Sequence, residues 1–317
     1  MTPALPVTYP EPVEPARLLV ITLSNIGDVV LTTPVLEALS NHFPNTAIDT
    51  FADARSAQLL GAAPYLGEIF LYNKRADWCE HLRFLHALRR RRYRLVVDLR
   101  GPVVAYMLRA EQRLTKPRRR RPGLHAVEEH FAALAPLLPR VAPPPCRLYL
   151  SDVDHLLASK LLADLPGKHW LAIAPGANWP GKKWPREHYR ALLRFAAQRF
   201  DAAIIVGSDQ DLADAQAIAS NALPHVITTG STELRTAAAV LSHAQAFVGN
   251  DSGLGHIAAA LGVPTLTVFG PGDPARYRPW GPRARIVQAP QTDLTRLSAE
   301  SVWSALEALL STQSEST

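Results

Sequence analysis

Four polar clusters in this chain each follow a short apolar run, and each holds side chains able to do chemistry. The richest is Val248-Gly-Asn-Asp-Ser-Gly-Leu-Gly-His-Ile-Ala-Ala-Ala-Leu261. A strand ending there, a glycine-rich turn and a small-residue helix would aim free backbone N–H groups and a helix N-terminus at one point. That is a seat for phosphate, and so for a nucleotide diphosphate. The alternative is a structural strand–turn–helix whose small residues serve close packing, with His256 a packed side chain. Ala174-Pro-Gly-Ala-Asn-Trp-Pro-Gly-Lys-Lys-Trp-Pro-Arg-Glu-His188 sets Lys182 and Lys183 in a loop after a strand, with Pro185 suited to the first position of the next helix. Such lysines are either solvated or placed to neutralise a departing diphosphate.

Ser24-Asn-Ile-Gly-Asp28 follows Leu18-Leu-Val-Ile-Thr-Leu23. Asp28 at a helix start reads either as an N-cap or as a general base that takes a proton from an attacking hydroxyl. The GxGxxG spacing of a dinucleotide site is missing here. Val206-Gly-Ser-Asp-Gln-Asp211 offers acids that accept from ribose hydroxyls or simply open a helix. Asp209-Gln-Asp211 also fits the D-x-D spacing of a metal on a sugar diphosphate, with two helix-opening acids as the commoner explanation. HExxH, CxxC and GxSxG are absent from the sequence, so the expectation is a metal-independent reaction with no cofactor.

The elements that must hold these clusters alternate. Leu18–Leu23, Ala47–Phe51, Ile69–Tyr72 and Leu95–Leu99 read as strands. Between them lie a helix from Asp28 to about His42, a short one around Gln58 and a basic one from about Cys79 to Arg92. Pro34 should kink the first or lie in its first turn. Residues 137–150, with Pro139 and Pro143-Pro-Pro145, read as the start of the interdomain region, and Asp154–Leu162 as a helix beyond it. A second alternation has strands at Trp170–Ala174, Ala202–Val206, His225–Thr228, Ala246–Gly249 and Pro264–Phe269. Its helices fall at Arg186–Phe200, Asp211–Ser220, Thr232–Ser242 and Leu297–Leu310. The expected fold class is α/β: two Rossmann-like doubly wound domains facing a cleft, with ligands outside the carboxyl ends of the strands. The expected division is a flexible Pro-rich tail over 1–16, a first domain over 17–152 and a second over 153–317.

With 317 residues, 47% hydrophobic and 20% charged, each half can form its own core. No apolar run approaches the roughly 18 residues of a membrane span, and the N-terminal segment does not read as a signal peptide. Cys79 and Cys146 alone imply no disulfide framework and fit a reducing cytoplasm. The net charge of +6 is uneven: residues 1–150 hold 20 Lys and Arg against 13 Asp and Glu, residues 151–317 hold 14 against 15. Arg89–Arg92 with Arg94, and Arg118–Arg121, carry much of the excess. They read as a solvated face, or as a surface for phosphorylated lipid, membrane or nucleic acid.

Four stretches together resemble the ADP-heptose:lipopolysaccharide heptosyltransferases, the inverting glycosyltransferase family 9 of GT-B fold. They are Ile21-Thr-Leu-Ser-Asn-Ile-Gly-Asp-Val-Val-Leu-Thr-Thr-Pro-Val-Leu36, Leu95-Val-Val-Asp-Leu-Arg-Gly101, Pro175-Gly-Ala with Lys182-Lys-Trp-Pro185, and Gly249 to Thr265 continuing to Phe269-Gly-Pro271. The last is the most specific. The resemblance implies Asp28 as general base and Lys182 as the lysine on the leaving ADP, with Lys183 as its stand-in. It implies Asp251, Ser252, Gly253 and His256 around the diphosphate and donor sugar, with Asn250, Leu254 and Gly255 in the same donor-side turn and Asp211 at the ribose. Ser24, Asn25, Gly27 and Arg100 fall on the acceptor side. Where the family often carries a glutamate near the ribose, Gln210 and Asp211 stand here.

The expected activity is inverting, metal-independent transfer of a heptose or related sugar from an ADP-sugar to the inner core of lipopolysaccharide. The acceptor would be the lipid A-core. The expected place is the cytoplasm, or the periphery of the inner face of a Gram-negative cytoplasmic membrane. The arginine runs would then meet an anionic acceptor or membrane surface, and no nucleic-acid partner is expected. Two rivals remain: transfer of another sugar to a protein or polysaccharide, and a non-catalytic nucleotide- or RNA-binding protein.

Overall fold

A computed structural model describes residues 17–73, 75–117, 123–219 and 222–312. The expected tail over 1–16 and the run Arg118–Arg121 lie outside the described residues. The first half runs β1 (Leu18–Ile21), α1 (Ile26–Val30), α2 (Thr33–His42), β2 (Ile48–Asp53), α3 (Ala54–Ala57), β3 (Leu66–Tyr72), α4 (Trp78–Arg89), β4 (Arg92–Asp98), α5 (Pro102–Met107), β5 (Arg109–Thr115) and α6 (Ala126–Phe131). The second runs α7 (Asp152–Leu161), β6 (Trp170–Ala174), α8 (Arg186–Ala196), β7 (Ala202–Ile205), α9 (Leu212–Ile218), β8 (His225–Ile227), α10 (Leu234–Ser242), β9 (Ala246–Asn250), α11 (Gly253–Ala260), β10 (Thr265–Phe269), α12 (Pro274–Tyr277), β11 (Ala284–Gln288) and α13 (Ala299–Ser311).

Both sheets are parallel and wound alike. The orders are β3-β2-β1-β4-β5 and, read the same way, β8-β7-β6-β9-β10-β11. Leu18 pairs with Leu95 across β1 and β4, and Leu171 with Ala246 across β6 and β9. At those two seams the winding reverses, which opens a crevice at the strand ends. Ser24–Asp28 follows β1, Asp98–Gly101 follows β4, the lysine loop follows β6, and the glycine-rich turn follows β9. All four resembling stretches thus lie at the two reversal points.

Strands β1, β6 and β9 are covered on both faces, which is why Leu18–Ile21, Trp170–Ala174 and 246–248 are unbroken apolar runs. The helix expected over 28–42 divides at Leu31–Thr32. The Thr32 and Thr33 hydroxyls donate to Val29 O and Val30 O at 2.6 and 2.8 Å, satisfying carbonyls at the end of α1. Pro34 sits in the first turn of α2, where no helical N–H is lost. The short helix expected at Gln58 lies just before it: Asp53 caps its start through Arg55 N at 3.1 Å, and Gln58 is its C-cap. Pro185 is the N-cap of α8 rather than its first residue.

The halves share one core. The cluster holding Phe247, Ile257 and Ala258 continues into Val30, Leu31 and Val127 of the first half. Glu129 of α6 binds both Arg276 at 2.6 Å and Lys116 at 3.0 Å, and the His125 ring meets Arg278 O at 2.8 Å. One member of the arginine run is structural. Asp49, fully buried on β2, accepts from Arg91 at 3.0 Å and Arg17 at 2.9 Å. A buried carboxylate needs such partners to offset its lost hydration.

Candidate active site

Two glycines bring the halves together. A Cβ on Gly27 would lie 2.8 Å from His256 Cδ2, and one on Gly253 would lie 2.8 Å from Ile26 Cγ2. Any side chain at either position would wedge α1 off α11, so close approach demands glycine. The turn bearing Asp28 therefore lies directly against the turn bearing Ser252 to His256.

Asp28 is not the N-cap of α1. Asn25 holds that position, and Asp28 stands in the first turn, where the helix dipole favours its charge. Asn25 Nδ2 donates to Asp28 Oδ2 at 2.8 Å, while Oδ1 accepts no protein hydrogen bond among the described residues. Arg100 braces this turn. Its Nε donates to Thr22 O at 2.7 Å and its Nη2 to Ser24 Oγ at 2.8 Å, with its plane over Phe51 and Tyr72. Asp98 in turn accepts from the N–H groups of Arg100 and Gly101 at 2.9 and 3.0 Å. Burial pushes the Asp98 carboxyl up, against the pull of these donors and of Arg100.

On the donor side the two lysines part. Lys182 Nζ meets Asp251 Oδ2 at 2.6 Å, whereas Lys183 Nζ meets Asp211 at 3.1 Å and Asp214 at 3.0 Å. Asp211 also accepts from Ser208 N and Oγ at 3.1 and 2.7 Å. Its carboxylate faces an ammonium group, the opposite of what a D-x-D cation site requires. Asn250, expected in the donor-side turn, is instead turned into the protein and fully buried. Its Oδ1 accepts from Trp184 N at 3.0 Å and Tyr189 OH at 3.1 Å, and its Nδ2 donates to Pro175 O at 2.6 Å. It ties the lysine loop to the end of β9. Ser252 Oγ and His256 Nδ1 are buried without a hydrogen-bond partner among the described residues. Burial first, then His125 and Lys182, lowers His256 to about 4, so the ring is neutral at pH 7. Gly255 lies against β10, where a Cβ would come 3.1 Å from Thr267 Oγ1.

A cleft of about 510 Å³ opens beside this seam, a size suited to a nucleotide. Lys183, Asp211, Ser252, Gly253 and Leu254 line it, as do Asp209 and Gln210. Asp28 and Lys182 belong to the adjoining seam rather than to its described lining. Sequence reasoning missed Arg55 and Gln58, which line the cleft from the first half, and Thr232 and Glu233 from the second. Arg55 stands just beyond the carboxyl end of β2, so the strand-end rule that found the other clusters reaches it too.

The model of glycosyltransferase family 9 (heptosyltransferase) matches residues 81–305. The chain belongs to this family. Among relatives of this glycosyltransferase, lipopolysaccharide heptosyltransferase 1 of Pseudomonas aeruginosa is 29% identical over 290 residues, covering 81% of this chain and 79% of the relative. Lipopolysaccharide heptosyltransferase 3 of Escherichia coli is 26% identical, over 80% and 83% of the two chains. The solved ADP-heptose lps heptosyltransferase II of E. coli superposes with a TM-score of 0.79 at 23% identity, over 94% of this chain and 99% of that one. These likenesses establish the α/β GT-B fold expected from the sequence. The glycosyltransferase family also displaces the rival reading of a non-catalytic binding protein.

Proposed function

We propose that this glycosyltransferase moves a heptose from ADP-heptose to the inner core of lipopolysaccharide, with inversion and without a metal ion, at the cytoplasmic face of the inner membrane. The observation that carries this is the contact of the two glycine turns, with Asp28 on one side and the turn from Asp251 to His256 on the other. Relatives supply the substrates: those at 26–29% identity are named lipopolysaccharide heptosyltransferases, and two similar E. coli structures hold ADP and ADP-2-deoxy-2-fluoro heptose.

Asp28 takes the proton of an acceptor hydroxyl as that oxygen attacks the anomeric carbon. The bond from that carbon to the diphosphate oxygen breaks on the opposite face, and ADP leaves with the electron pair. Attack opposite the leaving group inverts the centre. Asn25 fixes one Asp28 oxygen and leaves the other to accept the proton. Lys182 and the N–H groups opening α11 meet the charge on the departing ADP. The packed seam keeps water from the donor.

Transfer assays across ADP-, UDP- and GDP-sugars, with an inner-core acceptor, test this. The expected outcome is turnover with ADP-heptose, and a kcat lowered by roughly 10²–10⁴ in Asp28→Asn with ADP affinity retained. Near-normal turnover by a folded Asp28→Asn removes the base assignment, and turnover with another nucleotide removes the donor.

A further inference from the structure

Among the described residues of 17–140, the large hydrophobic side chains left exposed all lie between positions 71 and 107. Trp78 is 76% exposed, and Val103 and Tyr106 are each 70% exposed. They stand on α4 and α5, which pack on one face of the first sheet through Leu88, Ala105 and Leu108. Both helices start at carboxyl ends of strands, α4 after β3 and α5 after β4, the edge where Asp28 and Arg100 lie. Their outward stripes follow one plan. Apolar side chains come first: Trp78 and Leu82 one turn apart on α4, Val103 and Tyr106 one turn apart on α5. Exposed arginines follow: Arg83, Arg89 and Arg90 along α4, and Arg109 beyond α5. Asp77, at the start of α4, is engaged in capping Glu80 N at 2.7 Å.

Exposed aromatic and aliphatic tips beside arginines with no ion pair among the described residues match the headgroup region of an anionic bilayer. Tryptophan and tyrosine rings settle at that depth, and guanidinium groups pair with lipid phosphates. We propose that the α4–α5 face docks this enzyme on an anionic bilayer, with Trp78, Leu82, Val103 and Tyr106 inserted and the arginines on the headgroups. The choice of occupant rests on the reading of a lipid-anchored acceptor. Docking by this face turns the acceptor-side rim toward the membrane, so the sugar end of the acceptor reaches Asp28 while its lipid stays in place.

The test is co-sedimentation of the full chain with vesicles of phosphatidylglycerol and phosphatidylethanolamine, against vesicles of phosphatidylcholine alone. Neither donor nor acceptor is present, so the outcome is independent of the transfer reaction. The native chain is expected to bind the anionic vesicles. The double variant Trp78→Ser, Tyr106→Ser should lose affinity by about tenfold or more, with Tm and ADP affinity unchanged. Arg89→Glu with Arg90→Glu should remove the preference for anionic lipid and its salt dependence. A native chain that ignores anionic vesicles, or a double variant that binds them as well as the native chain, overturns the proposal. So does a chain that ignores lipid but forms a dimer broken by the double variant, which assigns the face to a second copy.

Discussion

Lys182 and Lys183 are neighbours in sequence and serve different carboxylates. Lys182 stands on Asp251, beside the glycine-rich turn; Lys183 bridges Asp211 and Asp214 in the lining of the cleft. Burial works to lower the Lys183 ammonium, but hydrogen bonds to Asp214 and Asp211 hold it above the usual lysine range. Lys182→Ala should lower kcat by roughly 10²–10³, the usual loss of a group that meets leaving-group charge. Lys183→Ala should act mainly on ADP affinity, by freeing two carboxylates that repel phosphate. Steady-state kinetics separates the two through kcat against KM; equal effects would show that the lysines are interchangeable. Both lysines were visible in the sequence, but their division of labour was not. Asp251 lies 69 residues beyond Lys182 and Asp211 28 beyond Lys183, and nothing local records which pairs with which.

At the scale of elements, Asn250 shows how a strand end misleads. It adjoins Asp251 in the glycine-rich segment, and proximity in sequence suggested a shared duty. Asn250 is the last residue of β9, a strand buried on both faces, so its side chain has no outward direction to take. It lies in the interior, where it holds the lysine loop. Asn250→Ala would leave Trp184 N and Pro175 O short of a partner, while Tyr189 OH keeps Ala174 O at 3.2 Å. The expected cost is about 2–4 kcal/mol, with a fall in kcat as the loop loosens. Denaturant unfolding checks the first, and an unchanged midpoint would mean the loop holds itself. The central strands were legible because both faces are buried. The edge strands β5 and β11 were not, since Arg109-Ala-Glu-Gln-Arg-Leu-Thr115 buries only Leu114 and reads as a polar connector.

Across the whole molecule, three histidines gather where the halves meet. Burial is the main cause that lowers His125, His130 and His256, each to about 4. In the unfolded chain a histidine titrates near about 6.5, so between those values the unfolded state binds more protons. Stability is therefore full above about pH 6.5 and is lost as pH falls toward about 4. Calorimetry should show Tm falling on acidification through that window, and His130→Asn should blunt the fall. A Tm flat from pH 7 to 5 would mean the histidines stay hydrated. The two-sheet plan was legible from alternating apolar runs; the seam was not, because its glycines and histidines owe their positions to the partner half.

The 2.6 Å pair between Lys182 and Asp251 gives the lysine a tethered anion of its own. Asp251 is tethered, so it competes at the ammonium group with an effective concentration that a free anion must exceed. On the proposed reading, a nucleotide diphosphate would win by valency, bringing several oxygens to the lysine and to the N–H groups of α11 at once. A lone carboxylate or halide brings one contact and stays outside. On the proposed reading, one acidic side chain would set the threshold that an incoming anion has to pass.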